Sequence, residues 1–136
     1  MIKVDISREK ETATGKLSRS RALTLSNRIV GLLAKNKFSA TIEIFLVSRE
    51  RIKKLNIDFR RNPNETDVLS FPQNCVIGAK ENVLGTVFIS PEVAEERDEE
   101  IETLLEHGIL HLLGFDHEKK PKLWREAIEK IKKELI

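Results

Sequence analysis

The sequence predicts an α+β domain: a small mixed β-sheet packed with helices, with a metal-binding helix in its core. Three observations carry this prediction. Apolar residues recur first with the periods of strands and helices in the order βαβαββ and then with the helical period alone, without internal repeats. The length of 136 residues suits one hydrophobic core, so residues 1–136 are expected to form a single domain. All three histidines crowd into residues 106–118, within an otherwise apolar helical stretch.

The elements follow in order. Ile2, Val4 and Ile6 alternate with Lys3 and Asp5, a short amphipathic strand. After a polar stretch containing Gly15, residues 17–35 place Ala22, Leu23, Ser26, Ile29, Val30 and Leu33 on one helical face. Residues 40–48 are rich in β-branched and aromatic side chains and read as a strand. Ser48 can cap a short helix over 49–58, with Ile52 and Leu55 inward and Arg51, Lys53 and Lys54 outward. Residues 59–66 read as a loop by composition, Thr66–Phe71 as a strand stopped by Pro72, 73–82 as a second loop and Val83–Ile89 as another strand. Ser90-Pro91 opens a helical turn with proline at the first helical position. Six acidic residues (Glu95, Glu96, Asp98, Glu99, Glu100, Glu102) then precede the histidine helix, where carboxylates favour a helix N-terminus. A C-terminal helix over 121–135 aligns Trp124, Ala127, Ile128, Ile131 and Leu135.

His107 and His111 are four apart, one helical turn above each other on one face. Gly114 is the residue able to end that helix in the left-handed conformation, which would bring His117 round to the same point. Three imidazoles converging with a fourth position open is the layout of a catalytic zinc site. Lone helical histidines are more often structural. Here, however, Leu104, Leu105, Ile109, Leu110, Leu112, Leu113 and Phe115 leave little but apolar surroundings, and burying imidazoles there without partners is costly. One zinc ion per chain, held by His107, His111 and His117, is therefore expected.

Composition limits the remaining possibilities. No apolar run approaches membrane-spanning length and the first residues lack a signal pattern, so a cytoplasmic protein without membrane contact is expected. Cys75 is the only cysteine, which rules out an intrachain disulfide. Its thiol is either a fourth metal ligand or a packed bystander. The net charge of +2 hides an asymmetry: residues 1–61 carry 15 Lys/Arg against 6 Asp/Glu, residues 62–118 carry 2 against 13, and residues 119–136 carry 7 against 3. Complementary solvated faces explain this, and so does a basic surface built from both ends of the chain to receive a polyanion.

The spacing His107-x3-His111-x5-His117, with glycine three before the last histidine, matches the long metzincin zinc motif. Two features of those peptidases are missing. Gly108 stands where the general-base glutamate belongs, and no methionine follows Met1 to make a Met-turn. A metal ion lowers the pKa of bound water to about 7 without that glutamate. Its loss counts more against peptide hydrolysis, which must protonate a poor amine leaving group, than against phosphodiester hydrolysis.

The run His-Gly-Ile-Leu-His-Leu-Leu-Gly-Phe-Asp-His resembles the signature of the YbeY family of rRNA-processing endoribonucleases. Two further blocks support the resemblance: Leu55-Asn56-Ile57-Asp58-Phe59-Arg60 followed by Thr66-Asp67-Val68-Leu69-Ser70-Phe71-Pro72, and Leu84-Gly85-Thr86-Val87-Phe88-Ile89-Ser90. Together they cover about residues 52–118. The resemblance implies a zincin-like fold, zinc on the three histidines, and single-strand-specific RNA cleavage in ribosomal RNA maturation, notably at the small-subunit 3′ end. Ribosome quality control comes with that role, and the implied partners are ribosomal RNA and the ribosome or small-subunit proteins. It also matches Arg60 to an arginine expected to face the metal pocket, where a guanidinium holds phosphate or the charge growing on it; the plain reading is a surface arginine. Asp67 either orients Arg60 or a ligand histidine from behind or caps a loop.

Departures from the family pattern are few. Phe59 and Phe115 stand where tyrosine is frequent, Glu65 replaces a proline, and Thr86 replaces a common aspartate, which puts in doubt a mechanism with a carboxylate base there. Two other readings remain: a zinc metallopeptidase-like hydrolase, and a non-catalytic ribosome-associated module with a structural zinc. The second would need a fourth protein ligand, for which Cys75 and Asp116 are candidates; Asp116 is otherwise a candidate to support the ligands from behind.

Overall fold

In a computed structural model the described residues are 1–9, 17–34, 39–73 and 82–135. Cys75, and the polar stretch around Gly15, lie outside the described residues.

The elements run β1 (Ile2–Arg8), α1 (Arg19–Leu33), β2 (Ala40–Leu46), α2 (Arg49–Arg60), β3 (Val68–Pro72), β4 (Val83–Ile89), α3 (Pro91–Glu96), α4 (Ile101–Leu112) and α5 (Pro121–Leu135), the expected order. Serines set three helix starts: the hydroxyls of Ser18, Ser48 and Ser90 accept hydrogen bonds from the N–H groups of Arg21, Arg51 and Val93. Two expectations need correction. Leu23 is on the solvent side of α1, because the buried stripe runs through Ala22, Ser26, Ile29 and Val30, one position round the helix. Phe59 and Arg60 are not in a loop. They form the last turn of α2, which ends only where Arg61 takes a left-handed conformation (φ 51°).

The sheet has strand order β1-β2-β4-β3. β1, β2 and β4 are parallel, and β3 runs antiparallel to β4 at one edge. One face, through Val4, Ile42, Ile44, Leu46, Val87 and Ile89, is buried beneath α1 and α4, and α5 packs against α1 and adds Ala127 and Ile131 to the same core. The other carries Phe45, Phe71 and Phe88, partly covered by α2 through Ile52 and Leu55. The register between β2 and β4 slips by one residue beside Gly85, whose backbone runs so close to β3 that an added Cβ would stand 2.5 Å from the Phe71 carbonyl oxygen. Part of the charge asymmetry is resolved inside the molecule: Arg21 pairs with Glu102 at 3.1 Å, and Arg49 pairs with Glu65 at 3.4 Å and with Glu96.

Among the described residues no helix is long and apolar enough to cross a membrane.

Candidate active site

α4 brings the histidines together because one of its sides is wholly buried. Leu105, Ile109 and Leu112 face the core, leaving His107 and His111 half-buried on the adjoining side. The helix stops in a Schellman motif. Gly114 takes φ 95°, its N–H donates to the His111 carbonyl, and the Phe115 N–H donates to the Leu110 carbonyl. The expected reversal is therefore made, and it places the His117 ring centre 5.4 Å from that of His111. Two imidazoles on one tetrahedral zinc would have ring centres about 5 Å apart, given Zn–N bonds of about 2 Å.

The turn carrying His117 is held by Asp116. Its carboxylate accepts the N–H groups of Glu118 (2.8 Å) and Lys119 (3.1 Å), and these two hydrogen bonds hold its pKa below the ordinary carboxylate value. Asp116 thus acts on the backbone that bears His117. His117 itself is exposed, with Nε2 at 4.0 Å from a Glu118 carboxylate oxygen.

A cleft of about 520 Å³ opens over these residues, between edge strand β3 and the α4–α5 connection. His107, His111, His117, Arg60, Asp67 and Asp116 all line it. Arg60 reaches it from the end of α2 by donating from Nη2 to the Ser70 carbonyl at 2.6 Å. Behind Arg60, buried Asn56 donates its amide to the Asn64 carbonyl at 2.8 Å, tying the connection from α2 to β3. Asp67 does not orient Arg60. Its carboxylate lies 3.8 Å from Arg97, and its backbone carbonyl accepts from the Ser90 N–H.

The electrostatics favour neutral imidazole. Burial lowers the His111 pKa most and His117 lowers it next; Asp116 opposes them, and Arg60 and His107 add smaller lowering effects. A neutral ring is the form that ligates metal. The cleft thus offers three imidazole donors, one of them kept unprotonated, which by chemistry suits zinc. In this conformation no three His, Cys, Asp or Glu side chains among the described residues are already arranged as a cage for an ion.

Trp124 is the residue that the sequence reading missed. Its ring centre lies 5.5, 5.0 and 5.2 Å from those of His107, His111 and His117, so α5 supplies a flat apolar surface against all three. In sequence it is one apolar position on an amphipathic helix, and nothing local marks it. Thr86, whose departure from the family bears on a possible base, is on the opposite sheet face from Val87 and donates its hydroxyl to Glu43 at 3.1 Å.

Comparison with known proteins supplies the family. The model of the family described as endoribonuclease YbeY matches residues 6–136. The chain belongs to the YbeY family. YbeY endoribonucleases resembling it include one from Sulfurihydrogenibium sp., 39% identical over 117 residues that cover 80% of this chain and 76% of that relative. Another, from Thermotoga neapolitana, is 36% identical over 115 residues, 79% of this chain and 73% of the relative. Among solved structures, the solution structure of TM1509 from Thermotoga maritima matches with a TM-score of 0.50 and 32% identity, covering 98% of this chain and 85% of the other. The α+β architecture of this YbeY-family chain, with its four-stranded mixed sheet, agrees with that neighbour.

Proposed function

We propose that this protein is a zinc-dependent endoribonuclease that cuts single-stranded RNA, acting in the cytoplasm on ribosomal RNA at the small-subunit 3′ end and in ribosome quality control. Endoribonuclease activity follows from the family. The observation that carries the zinc-dependent reading is the convergence of His107, His111 and His117 in one cleft with the Arg60 guanidinium. One zinc ion on the three imidazoles would supply an activated water or polarise the phosphodiester. The protein's own part is positional. Arg60, fixed to the Ser70 carbonyl and packed with its Cζ 5.5 Å from the centre of the Phe71 ring, presents a planar cation for a phosphate and for the charge that grows on it. Asp116 holds the His117 turn, and Trp124 backs the three rings. Ribosomal RNA and small-subunit components as partners rest on the family resemblance.

The peptidase alternative is disfavoured by packing as well as by the missing glutamate. Gly108 is buried against Val87 and Ser70, so position 108 has no room for a general base. A structural zinc would need a fourth protein ligand; Asp116 spends its Oδ1 on two backbone N–H groups of the His117 turn, and Cys75 lies outside the described residues.

The test is a defined single-stranded RNA incubated with wild-type, His111→Ala and Arg60→Ala proteins under controlled zinc. Cleavage by wild type, stopped by a chelator and restored by zinc, is expected to be lost in His111→Ala and strongly reduced in Arg60→Ala. Equal cleavage by wild type and His111→Ala would remove the metal-dependent reading.

A further inference from the structure

Next to the cleft, four phenylalanines form a connected row across the sheet face opposite the main core. Phe59 meets Phe71 edge to face with ring centres 5.6 Å apart, Phe71 meets Phe88 at 5.8 Å, and Phe88 stacks on Phe45 at 5.2 Å. The inner three are half-buried, but Phe59 is 66% exposed. A scattered surface phenylalanine needs no explanation. This one sits beside Arg60, which lines the cleft on one side and lies against the Phe71 ring on the other. The row is therefore continuous with the cleft around the edge strand. The same helix exposes Arg51, Lys53 and Lys54, with Arg61 at its end, charge suited to a phosphate backbone.

We infer that Phe59, propped by Phe71, is a stacking platform for a base of the single-stranded RNA next to the phosphate held at Arg60, a subsite that rests on the endoribonuclease reading. A flat apolar ring beside a fixed guanidinium, with further cations along the same helix, is the arrangement that binds single strands without reading their sequence, because every base has a π-face. It also disfavours duplex, whose bases are paired and stacked within the helix and have no free face for Phe59. The subsite lies outside the metal ligands, so it acts on substrate capture and not on bond cleavage.

Binding of a fluorescently labelled single-stranded oligoribonucleotide tests this in the His111→Ala background, where the strand stays intact, and in wild type under chelator. Phe59→Ala and Phe59→Leu are expected to weaken binding about tenfold, within the range for loss of one stacked base, while Phe59→Tyr keeps full affinity. In zinc-loaded protein the same substitutions raise KM and leave kcat unchanged. Phe59 is exposed, so folding is not at stake, and the leucine variant separates stacking from mere apolarity. Wild-type affinity in Phe59→Leu or Phe59→Ala would overturn the subsite and leave the ring to a protein partner. RNA binding by none of the proteins would instead overturn the endoribonuclease reading itself.

Discussion

Gly108 lies against Val87 so closely that a Cβ added to the glycine would stand 2.7 Å from Cγ1 and 3.1 Å from Cγ2 of the valine, and 3.2 Å from the Ser70 hydroxyl. The histidine-bearing helix α4 is seated directly on β4 at the residue after its first histidine. The absence of a glutamate there is thus a packing requirement as well as a chemical difference from the peptidases.

Gly108→Ala is expected to destabilise the protein by about 1–2 kcal/mol. Overpacking costs about 1–3 kcal/mol, and the better helix propensity of alanine returns up to about 1 kcal/mol. Urea denaturation of this variant, of Val87→Ala and of the double variant gives the coupling. Additive effects would show that the two residues do not compete for the same space.

Trp124 is the only tryptophan, so its fluorescence reports directly on the three histidines. Titrating zinc into chelator-treated protein is expected to change the emission of wild type and leave that of His111→Ala unchanged. Trp124→Ala should lower stability by about 2 kcal/mol, less than a fully buried tryptophan because the side chain is half-exposed. It should also weaken zinc affinity about tenfold in competition with a chromophoric chelator. Unaltered affinity would reduce the indole to filler.

Because folding lowers the His111 pKa, chiefly through burial, the unfolded chain binds more protons than the native one below the ordinary histidine value of about 6.5. The effect on stability is nil at alkaline pH, where both states are neutral, and becomes a loss as pH falls below about 6.5. Zinc-free wild type should therefore show a falling denaturation midpoint between pH 7.5 and pH 5, and His111→Gln a shallower fall. Zinc affinity should drop over the same range because protons compete for the ring. A midpoint independent of pH would refute the effect.

Arg60→Ala should reduce cleavage by a factor of about 10² to 10³, the usual cost of removing one aligned charge donor. Arg60→Lys should recover only part of it, because an ammonium lacks the planar fork that donates to Ser70 and lies against Phe71. Removing the cation should also raise the His111 pKa, one cause of whose lowering is Arg60. NMR titration of the imidazole checks this independently of activity.

Much of the molecule was legible without coordinates. The order of elements, the Ser48 cap and the glycine reversal after His111 all rest on local rules, periodicity or the preference of a residue type for one backbone conformation, and these are written in neighbouring residues. Arg60 was assigned to the right cleft but to the wrong element. Composition around Asn62-Pro63-Asn64 suggested a loop, whereas the helix persists to Arg60 and is closed by the left-handed Arg61.

What the sequence by itself determined is therefore the histidine cluster, its spacing and the fold class, since each follows from residues close along the chain. Tertiary structure alone decided that Trp124 lies against all three imidazoles, that Gly108 is held by Val87, that Asp67 pairs with Arg97 and not Arg60, and that Phe59 stands exposed where the aromatic row meets the cleft. Each of these joins elements whose approach is fixed by how the sheet orders its strands and how the helices share its two faces. Such contacts between distant segments leave no local mark in the order of residues.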